Sequence, residues 1–492
     1  MIIKTSHDEI ESYITDASNF RGNCDAVYIP ESCEDIKEIL ITANSNKTPV
    51  TISGNGTGLT GARVPLGGIL ISTEKLNKII EINKEEEYVI VEPGVVLDNL
   101  QKEVEKQGLL YPPDPTEWNC FIGGTIATNA SGEKTFKYGP TRDYVEELQI
   151  VLATGEIIEL KRGREKAKGS ELILQTNQDK KIVINIPDIQ MPQVKNASGY
   201  YLKKDMDAID LFIGSEGTLG VITKIKLRLV GLPENILSSI IFFDSEDNAL
   251  SLIEEARAIS FETRRDRTPS MDALALEFVD KNSLDFLRED YTRIPENAAA
   301  AVWFEQETTK DNDEKLFNEW AKLIAKHKGN TETAWFAFSA KDKKNLEEFR
   351  HSVSAKANEF IARKNVKKLG TDVAVPFEYF RNFYKECRNL VNNSGLKFIA
   401  YGHFGNSHLH LNILPVNEEE YQKGKEIYKQ ICKRAIQLKG TISAEHGVGK
   451  LKTEYLIMMY GNENIKKMAE IKKTLDPNWI LGRGTLFGYK SI

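Results

Sequence analysis

The sequence predicts an α+β protein in which two packed domains are followed by a helical C-terminal segment. At 492 residues the chain is too long for a single hydrophobic core. Its first 230 residues alternate short β-branched strands with amphipathic helices and carry three glycine-rich stretches. After about residue 231, apolar strands alternate with charged helices, a pattern typical of an antiparallel sheet covered by helices.

The elements of the first domain follow one another at short intervals. Strands are predicted at 26–29, 49–52, 67–72, 79–82, 88–92, 148–152 and 221–229, and helices at 32–43 and 95–107. Ser32 and Asp35 form a capping-box pattern where the first helix begins. Pro112, Pro113 and Pro115 interrupt regular structure after the second helix.

The second domain has a different pattern of strands and helices. Its strands are predicted at 238–243, 299–305 and 333–338, and its helices at 247–259, 310–326 and 340–359. Two further helices, at 420–438 and 461–474, flank a glycine-rich turn at 440–449. We therefore divide the chain into residues 1–230, 231–435 and 436–492.

Composition excludes several classes of protein. The net charge of −7, from 65 basic and 72 acidic residues, disfavours a nucleic-acid partner. No apolar run approaches the roughly 20 residues that span a bilayer, and the N-terminus lacks the apolar run of a signal peptide. Five scattered cysteines without a C-x-x-C pair support neither a disulfide framework nor an iron–sulfur cluster. We expect a cytoplasmic protein, with peripheral contact with a membrane left open.

The first glycine-rich stretch, residues 54–61, contains the spacing G-x-G-x-x-G. A Rossmann site requires a helix directly after these glycines, and the next segment, with Pro65 and two more glycines, disfavours one. The backbone N–H groups of such a loop can still bind an anion, although a plain tight turn has the same composition. Two more stretches of small residues, 123–132 and 214–223, suggest that the backbone wraps closely around a long ligand.

A specific resemblance is carried by several runs of residues. The first domain contains PVTISGNGTGLTGARVP, YPPDPTEWNCFIGGTIATNASGEKTFKYGPTRDYV, KNASGYYL and DLFIGSEGTLGVIT, and the C-terminal part contains GHFGNSHLHLN, GTISAEHGVGK and LDPNWILGRGTLF. These runs resemble the vanillyl-alcohol-oxidase (PCMH-type) FAD enzymes, in the branch of D-lactate, glycolate and D-2-hydroxyglutarate dehydrogenases. The resemblance implies a PCMH-type FAD-binding domain of two subdomains, a cap domain of the FAD-linked oxidase type, and a C-terminal segment that returns to the FAD domain.

The same resemblance implies which residues contact FAD. The pyrophosphate would lie on residues 54–60, and segments 123–142 and 216–222 would line the ribityl chain and the flavin ring. The implied contacts are Gly54, Asn55, Gly56, Thr57, Gly58, Leu59, Thr60, Pro115, Gly123, Gly124, Ala127, Asn129, Ser131, Gly132, Tyr138, Gly139, Glu216, Gly220 and Ile222.

Two departures from the family bear on FAD. Ser53 stands where the family often has an arginine, which removes a positive charge near the phosphates. Because no histidine occurs between His7 and His327, FAD cannot be attached through a histidine of this domain, and we expect tight noncovalent binding. We interpret Cys120 as a buried, inert thiol rather than a flavin attachment point.

Four of the seven histidines lie within 44 positions: His403, His408, His410 and His446. With the neighbouring Glu445 they suit Zn, Mn or Fe, although ordinary core or surface histidines are the alternative. The residues alone do not select the ligands. The resemblance implies that His403, His410 and Glu445 bind a divalent metal, Zn or Mn, and that His446 is the catalytic base. His408 replaces a usual asparagine, and we expect it beside the ligands or competing with them.

The resemblance also implies the substrate contacts Arg350, Ser354 and Asn412, although an ordinary charged surface helix could explain the first two. D-2-hydroxyglutarate enzymes have a lysine two positions before the Asp of a D-x-x-x-P pattern. Here that Asp is Asp372 and the position holds Gly370, which favours a monocarboxylate such as D-lactate.

The expected reaction converts a D-2-hydroxy acid into its 2-oxo acid by hydride transfer to flavin N5. A metal lowers the pKa of the hydroxyl, a neutral histidine accepts its proton, and an arginine pairs with the carboxylate. A quinone, a cytochrome or an electron-transfer flavoprotein would accept the electrons, and the chain could act as a homodimer. Alternatives are a D-2-hydroxyglutarate or glycolate dehydrogenase, an FAD-binding subunit of a larger electron-transfer complex, a non-redox FAD enzyme related to ether-lipid synthases, and a metal hydrolase.

Overall fold

Three main β-sheets organise the chain in the computed structural model, which describes residues 1–364 and 366–487. The first sheet has the spatial order Ile2–Lys4, Ala26–Ile29, Ile69–Ser72, Val50–Ser53. Its last three strands are parallel, and the first strand is antiparallel. The second sheet is antiparallel, in the order Ile79–Asn83, Tyr88–Val91, Val221–Arg228, Val145–Val151, Ile157–Lys161.

Short helices and two small ribbons complete this part of the chain. The helices are His7–Ile10, Cys33–Asn46, Leu97–Glu105, Ile122–Thr128, Thr135–Tyr138 and Ile209–Phe212, with 3₁₀ turns at Glu11–Tyr13 and Thr141–Tyr144. The ribbons pair Glu171–Gln175 with Lys181–Asn185 and Leu109–Leu110 with Val230–Gly231. Ser32 caps its helix as its sequence pattern predicts, because its side chain accepts a hydrogen bond from the Asp35 N–H at 3.1 Å.

The third sheet is antiparallel and is formed by the second half of the chain. Its order is Asn330–Phe336, Asn235–Phe243, Ala300–Thr308, Ala273–Asp280, Phe398–Gly402, His408–Ile413, Leu369–Gly370, and Val373–Ala374 also pairs with His408–Ile413. Along one strand, Ile240 and Phe242 contact one hydrophobic cluster, whereas Ile241 and Phe243 contact another. Both faces of this sheet are therefore covered.

The helices of the second half cover this sheet and continue into the C-terminal part. They are Glu246–Asp266, Lys281–Leu287, Asp313–Lys326, Ala340–Lys364, Phe377–Ser394, Glu418–Gln437 and Thr453–Leu475, with a 3₁₀ turn at Phe404–Asn406. The α+β class expected from the alternation of strands and helices is the class observed.

The C-terminal segment packs against the first half of the chain. The Val50 N–H donates to Ile480 O at 2.7 Å, and the Gly482 N–H donates to Val50 O at 2.9 Å. The carboxylate of Glu216 accepts hydrogen bonds from the N–H groups of Val448 and Gly449, each at 2.8 Å. The C-terminal residues therefore contact the first half of the chain, and the division near residues 230 and 435 stays a prediction.

Several elements differ from the expectations. The stretch of small residues after Pro115 contains the helix Ile122–Thr128, and the strand Ala273–Asp280 and the helices Lys281–Leu287 and Phe377–Ser394 were not anticipated. The predicted helix at 461–474 is observed, and a further helical stretch from Thr453 precedes it across a kink at Gly461, where φ is 74°. Within the described ranges, no helix is both long and apolar enough to cross a membrane.

Candidate active site

A cleft lies between the glycine-rich segments of the first half and the C-terminal segment. It holds about 1440 Å³ of space, with its open mouth included. Its wall is formed by residues 52–60, 62–63, 115–117, 120–121, 123–125, 127–128, 130–131, 215–217, Asp16, Thr73, Pro93, Gly220, Ile222, Glu445 and His446. Segments far apart in sequence thus surround one elongated space.

Glycines keep this space open. A Cβ built on Gly124 meets no described atom within 4 Å, and on Gly54 and Gly58 the nearest atoms lie 3.9 and 3.8 Å away. All three glycines line the cleft, so the missing side chains leave room for a ligand rather than for neighbouring backbone. A long, thin ligand with a phosphate group fits such a wall.

Arg63 adds a positive charge at the end of the cleft formed by residues 54–60. Its Nη1 donates to Gly54 O at 3.0 Å and its Nη2 donates to Ser12 O at 2.6 Å. Its buried Nε has no hydrogen-bond partner among the described residues. Burial lowers the pKa of Arg63, and Asp16 partly offsets this effect. The guanidinium therefore lies beside the loop that follows Ser53.

Most of the expected FAD contacts line the cleft, and four described residues lie outside its wall: Asn129, Gly132, Tyr138 and Gly139. The side-chain oxygen of Asn129 accepts a hydrogen bond from the Arg142 N–H at 3.0 Å. The hydroxyl of Tyr138 donates to Glu307 in the second half of the chain. Direct contact of these four residues with FAD stays a prediction.

Cys120 lies in the cleft wall and is 7% exposed. Burial raises the pKa of its thiol to about 12. Such a thiol is not ionised near neutral pH, which fits the interpretation as an inert residue.

The histidine cluster lies beside the cleft and is formed by one β-hairpin and the 440–449 turn. Strand Phe398–Gly402 ends just before His403, and the returning strand His408–Ile413 directs the side chains of His408 and His410 to the same face. The Nε2 atoms of His403 and His410 lie 3.4 and 3.2 Å from Glu445 Oε1. Together with His408 they offer ligand atoms that all lie within 4.8 Å of one another.

In His403 and His410, the ring nitrogen that points away from Glu445 lies beside a hydrogen-bond acceptor. Nδ1 of His403 lies 2.7 Å from Glu277 Oε1, and Nδ1 of His410 lies 3.3 Å from Thr371 O. Because a carboxylate and a carbonyl only accept hydrogen bonds, Nδ1 of each ring donates, and Nε2 is the atom that each ring presents to Glu445. This arrangement, a ligand nitrogen held by an outer acceptor, is typical of metal-binding histidines.

Neighbouring charges keep Glu445 ionised. Burial alone would raise the pKa of Glu445, but Lys195, His403 and His408 hold it well below its usual value. Lys195 Nζ lies 2.5 Å from Glu445 Oε2, and the lysine side chain is only 5% exposed. Burial would lower the pKa of His403, yet Glu277 and Glu445 raise it. The nitrogen and oxygen donors therefore fit a divalent metal ion.

His446 faces the cleft, and Asp372 contacts both its backbone N–H and its ring Nδ1. The His446 N–H donates to Asp372 Oδ2 at 3.0 Å, and its Nδ1 lies 3.4 Å from the same oxygen. Burial is the main reason that the pKa of His446 is lowered to about 4. The ring is therefore neutral near pH 7, with Nε2 left to accept a proton.

None of the three expected substrate contacts lines the cleft wall, but Arg350 is linked to the histidine cluster through Glu277. Its Nε and Nη2 each lie 2.8 Å from Glu277 Oε2, and the other oxygen of Glu277 holds His403. Burial would raise the pKa of Glu277, but His403 and Arg350 lower it to about 2. Ser354 is half-buried one turn along the same helix, outside the described cleft wall and histidine cluster.

Asn412 lies on the strand that carries the histidines and is 3% exposed. Its Nδ2 has no hydrogen-bond partner within the described chain, so it is available to a ligand. A Cβ on Gly370 would lie 2.4 Å from Asn412 Oδ1, so a side chain at position 370 would displace Asn412.

Comparison with known families decides the identity of the chain. Residues 233–486 match the family described as FAD linked oxidases, C-terminal domain. Residues 24–161 match the family described as FAD binding domain. The chain belongs to the FAD-linked oxidases. FAD is therefore its cofactor, and the resemblance stated from the sequence is confirmed.

Curated relatives of this FAD-linked oxidase align over nearly the whole chain. Glycolate oxidase subunit GlcD of Bacillus subtilis (strain 168) is 31% identical and covers 96% of this chain and 92% of its own length. A D-lactate dehydrogenase of Anaerostipes hadrus is 29% identical, with 98% and 92% covered. A D-2-hydroxyglutarate dehydrogenase of Stutzerimonas stutzeri (strain A1501) is 28% identical, with 99% and 96% covered.

Solved structures share the fold of this FAD-linked oxidase. An alkyldihydroxyacetonephosphate synthase has a TM-score of 0.70 at 16% identity, covering 98% of this chain and 81% of that chain. A 4-ethylphenol oxidase from Gulosibacter chungangensis has a TM-score of 0.69 at 17% identity, covering 99% and 94%. The predicted fold, a PCMH-type FAD domain with an antiparallel cap domain and C-terminal helices, is confirmed.

Sequence reasoning did not identify several residues of this FAD-linked oxidase that shape the site. Glu277 lies 126 positions before His403, and only the run LEFVD around it could have drawn attention to it. Lys195 begins the run KNASGYYL, which was recognised without a role for its lysine. Arg63 lies in the glycine-rich run itself, where attention fell on the glycines.

Proposed function

We propose that this FAD-linked oxidase oxidises a D-2-hydroxy acid to its 2-oxo acid, with a D-lactate-like monocarboxylate as the favoured substrate. The observation that carries the proposal is the convergence of His403, His410 and Glu445 beside His446 at the wall of the FAD cleft. A metal hydrolase would not require this cleft. The activities named for the relatives support the same class of substrate.

In this proposal His403, His410 and Glu445 hold a divalent ion, Zn or Mn. A bound ion of this kind supplies Lewis acidity that favours ionisation of the substrate hydroxyl. Glu277 and the carbonyl of Thr371 keep the two ligand nitrogens directed at the ion. Lys195 restrains the second oxygen of Glu445.

His446 is the proposed base. Its neutral ring accepts the hydroxyl proton on Nε2, and Asp372 lies at Nδ1, where it stabilises the resulting positive charge. Bound FAD supplies the acceptor for the hydride that leaves C2. The proposed FAD contacts are the cleft-lining residues of segments 54–60, 115, 123–131 and 216–222.

Arg350 and Asn412 are the proposed contacts of the substrate carboxylate, with Ser354 nearby on the Arg350 helix. Glu277 occupies Nε and Nη2 of the guanidinium, which leaves Nη1 for a substrate. The unpartnered Nδ2 of Asn412 is a second donor. Gly370 has no side chain that could bind a second, distal carboxylate, and a longer residue there would displace Asn412 Oδ1. The missing second anchor favours D-lactate over D-2-hydroxyglutarate.

A second candidate is the same chemistry within a larger electron-transfer assembly. The relative from Bacillus subtilis is named as a subunit, which favours this arrangement. A quinone, a cytochrome or an electron-transfer flavoprotein would then receive the electrons.

Removal of the metal tests the proposal. Chelation should abolish reduction of the flavin by D-lactate while leaving the visible spectrum of oxidised FAD unchanged, because the ion and FAD have different ligands. Adding back Mn²⁺ or Zn²⁺ should restore reduction. Fully active protein in which elemental analysis detects no metal would exclude the metal-assisted reaction.

A further inference from the structure

His408 is fully buried, yet one of its ring nitrogens lacks a partner. Nδ1 forms no hydrogen bond with any described residue, and the residue is 0% exposed. We propose that His408 is a fourth protein ligand of the metal ion, through Nδ1, which makes the site one of three imidazoles and one carboxylate. This inference rests on the metal ion of the proposed function.

The tautomer of His408 is fixed by its other nitrogen. Nε2 lies 3.0 Å from Asp372 Oδ1, and Asp372 is also completely buried. Asp372 is an ionised acceptor, held by Lys452 Nζ at 2.9 Å. Nε2 therefore carries the ring proton, and Nδ1 presents a lone pair. His408 thus resembles His403 and His410. One nitrogen of each ring lies beside an acceptor outside the cluster, and the other nitrogen faces the centre of the cluster.

The lone pair of His408 is directed at the centre of the cluster. Nδ1 lies 3.9 Å from Glu445 Oε2, and the rings of His408 and His410 are 4.3 Å apart between centroids. A ring nitrogen that carries a lone pair accepts hydrogen bonds. It therefore cannot form one with a second such nitrogen or with an ionised carboxylate. A cation between them satisfies all of these atoms at once.

A purely structural role explains the geometry less well. A buried histidine that only supports the fold normally has hydrogen bonds at both nitrogens, because an unsatisfied buried polar atom is unfavourable. His403 and His410 also direct their inner nitrogen, Nε2, at Glu445 Oε1, at 3.4 and 3.2 Å, and Nδ1 of His408 lies 3.9 Å from Oε2. A cation at the centre of the cluster gives all three nitrogens a partner.

Four protein ligands have a consequence for the choice of metal. A tetrahedral ion, the usual geometry of zinc, would have no free position left for the substrate. An ion that accepts six ligands keeps two positions, which match the hydroxyl and one carboxylate oxygen of a 2-hydroxy acid. The inference therefore favours Mn²⁺ over Zn²⁺ as the active ion.

X-ray absorption spectroscopy on the FAD-loaded protein, stripped of metal and reloaded with Mn²⁺, tests this assignment. His408→Gln keeps an amide donor near Asp372 and removes the nitrogen that faces the cluster. We expect three imidazole ligands in the wild type and two in His408→Gln, with Mn²⁺ affinity lowered at least about 10–100-fold. His327→Gln, a change at a histidine that bonds Glu255 away from the site, should leave both values unchanged.

Two imidazoles on Mn²⁺ in both the wild type and His408→Gln would overturn the inference. If D-lactate still reduces the flavin of that wild-type protein, the proposed function survives and only the role of His408 falls. A wild type that binds neither Mn²⁺ nor Zn²⁺ would overturn the metal ion and the fourth ligand together. Retained FAD and an unchanged melting temperature in His408→Gln establish that the variant is folded.

Discussion

At the scale of single residues, Asp372 connects the metal ligands to the base. Its Oδ1 accepts hydrogen bonds from His408 Nε2 and from the Glu445 N–H, and its Oδ2 accepts from the His446 N–H. Burial would raise the pKa of Asp372, but His446, Lys452 and His408 hold it well below its usual value. One ionised carboxylate therefore holds the His408 ring and the backbone that carries Glu445 and His446.

His446→Ala tests the proton-transfer role. The variant should retain FAD, because the ring of His446 contacts Asp372, Glu445 and His410 rather than the glycine-rich loop, and it should retain metal because the three proposed ligands are unchanged. Stopped-flow reduction of the flavin by D-lactate should slow by about 10²–10⁴, the usual contribution of a positioned base. His327→Ala should reduce at the wild-type rate. A full reduction rate in His446→Ala would assign the proton to another group.

Arg63→Gln tests whether this arginine supplies the charge that Ser53 does not. Glutamine keeps a donor for Gly54 O but has no charge, so the FAD phosphates lose a charged hydrogen-bond donor. A bond of that kind contributes about 1.5–3 kcal/mol, which predicts about 10–100-fold weaker FAD binding by calorimetry. Arg434→Ala, at a surface pair with Glu386, is the control and should bind FAD normally. Equal affinities in the two variants would refute the role of Arg63.

Several single residues could be predicted from local patterns, and others could not. The few histidines and Glu445 could be recognised because they lie close together in the sequence, and the structure brings all of them together. Glu277 and Lys195 reach the cluster from 126 and 250 positions away. Such contacts depend on how sheets pack, which local spacing does not encode.

At the scale of elements, the helix Ile122–Thr128 is the least expected feature. Its composition of glycine, threonine and isoleucine has low helix propensity, so the sequence did not predict it. Tertiary packing stabilises it instead, since a Cβ on Gly123 would lie 2.6 Å from a Pro93 side-chain atom. By contrast, the helix after Ser32 followed from a capping pattern and an apolar stripe, both of which are local.

Gly124→Leu tests whether this helix forms part of the FAD site. The new side chain would enter the cleft without a clash, because a Cβ there meets no described atom within 4 Å. We expect loss of FAD binding with an unchanged melting temperature of the FAD-free protein. Gly231→Leu, at an equally open glycine outside the cleft, should bind FAD as the wild type does. Wild-type FAD affinity in Gly124→Leu would show that the cofactor binds outside this cleft.

At the scale of the whole molecule, the site exists only where distant segments meet. The Thr60 carbonyl accepts hydrogen bonds from the N–H groups of Lys450 and Leu451, which joins the glycine-rich loop to the turn that carries Glu445 and His446. Ser131 Oγ donates to Glu445 Oε2 at 3.3 Å, across 314 positions of sequence. The fold class followed from the order of strands and helices, but this junction required the structure.

Anaerobic titration of the purified FAD-loaded, metal-replete protein with a panel of 2-hydroxy acids tests the central claim most directly. D-Lactate should bleach the yellow flavin spectrum stoichiometrically, because the site provides metal ligands, a base and contacts for a single substrate carboxylate. L-Lactate should not bleach it, and D-2-hydroxyglutarate should do so only at much higher concentration, since Gly370 provides no second anchor. A flavin that stays oxidised with every D-2-hydroxy acid would contradict the account.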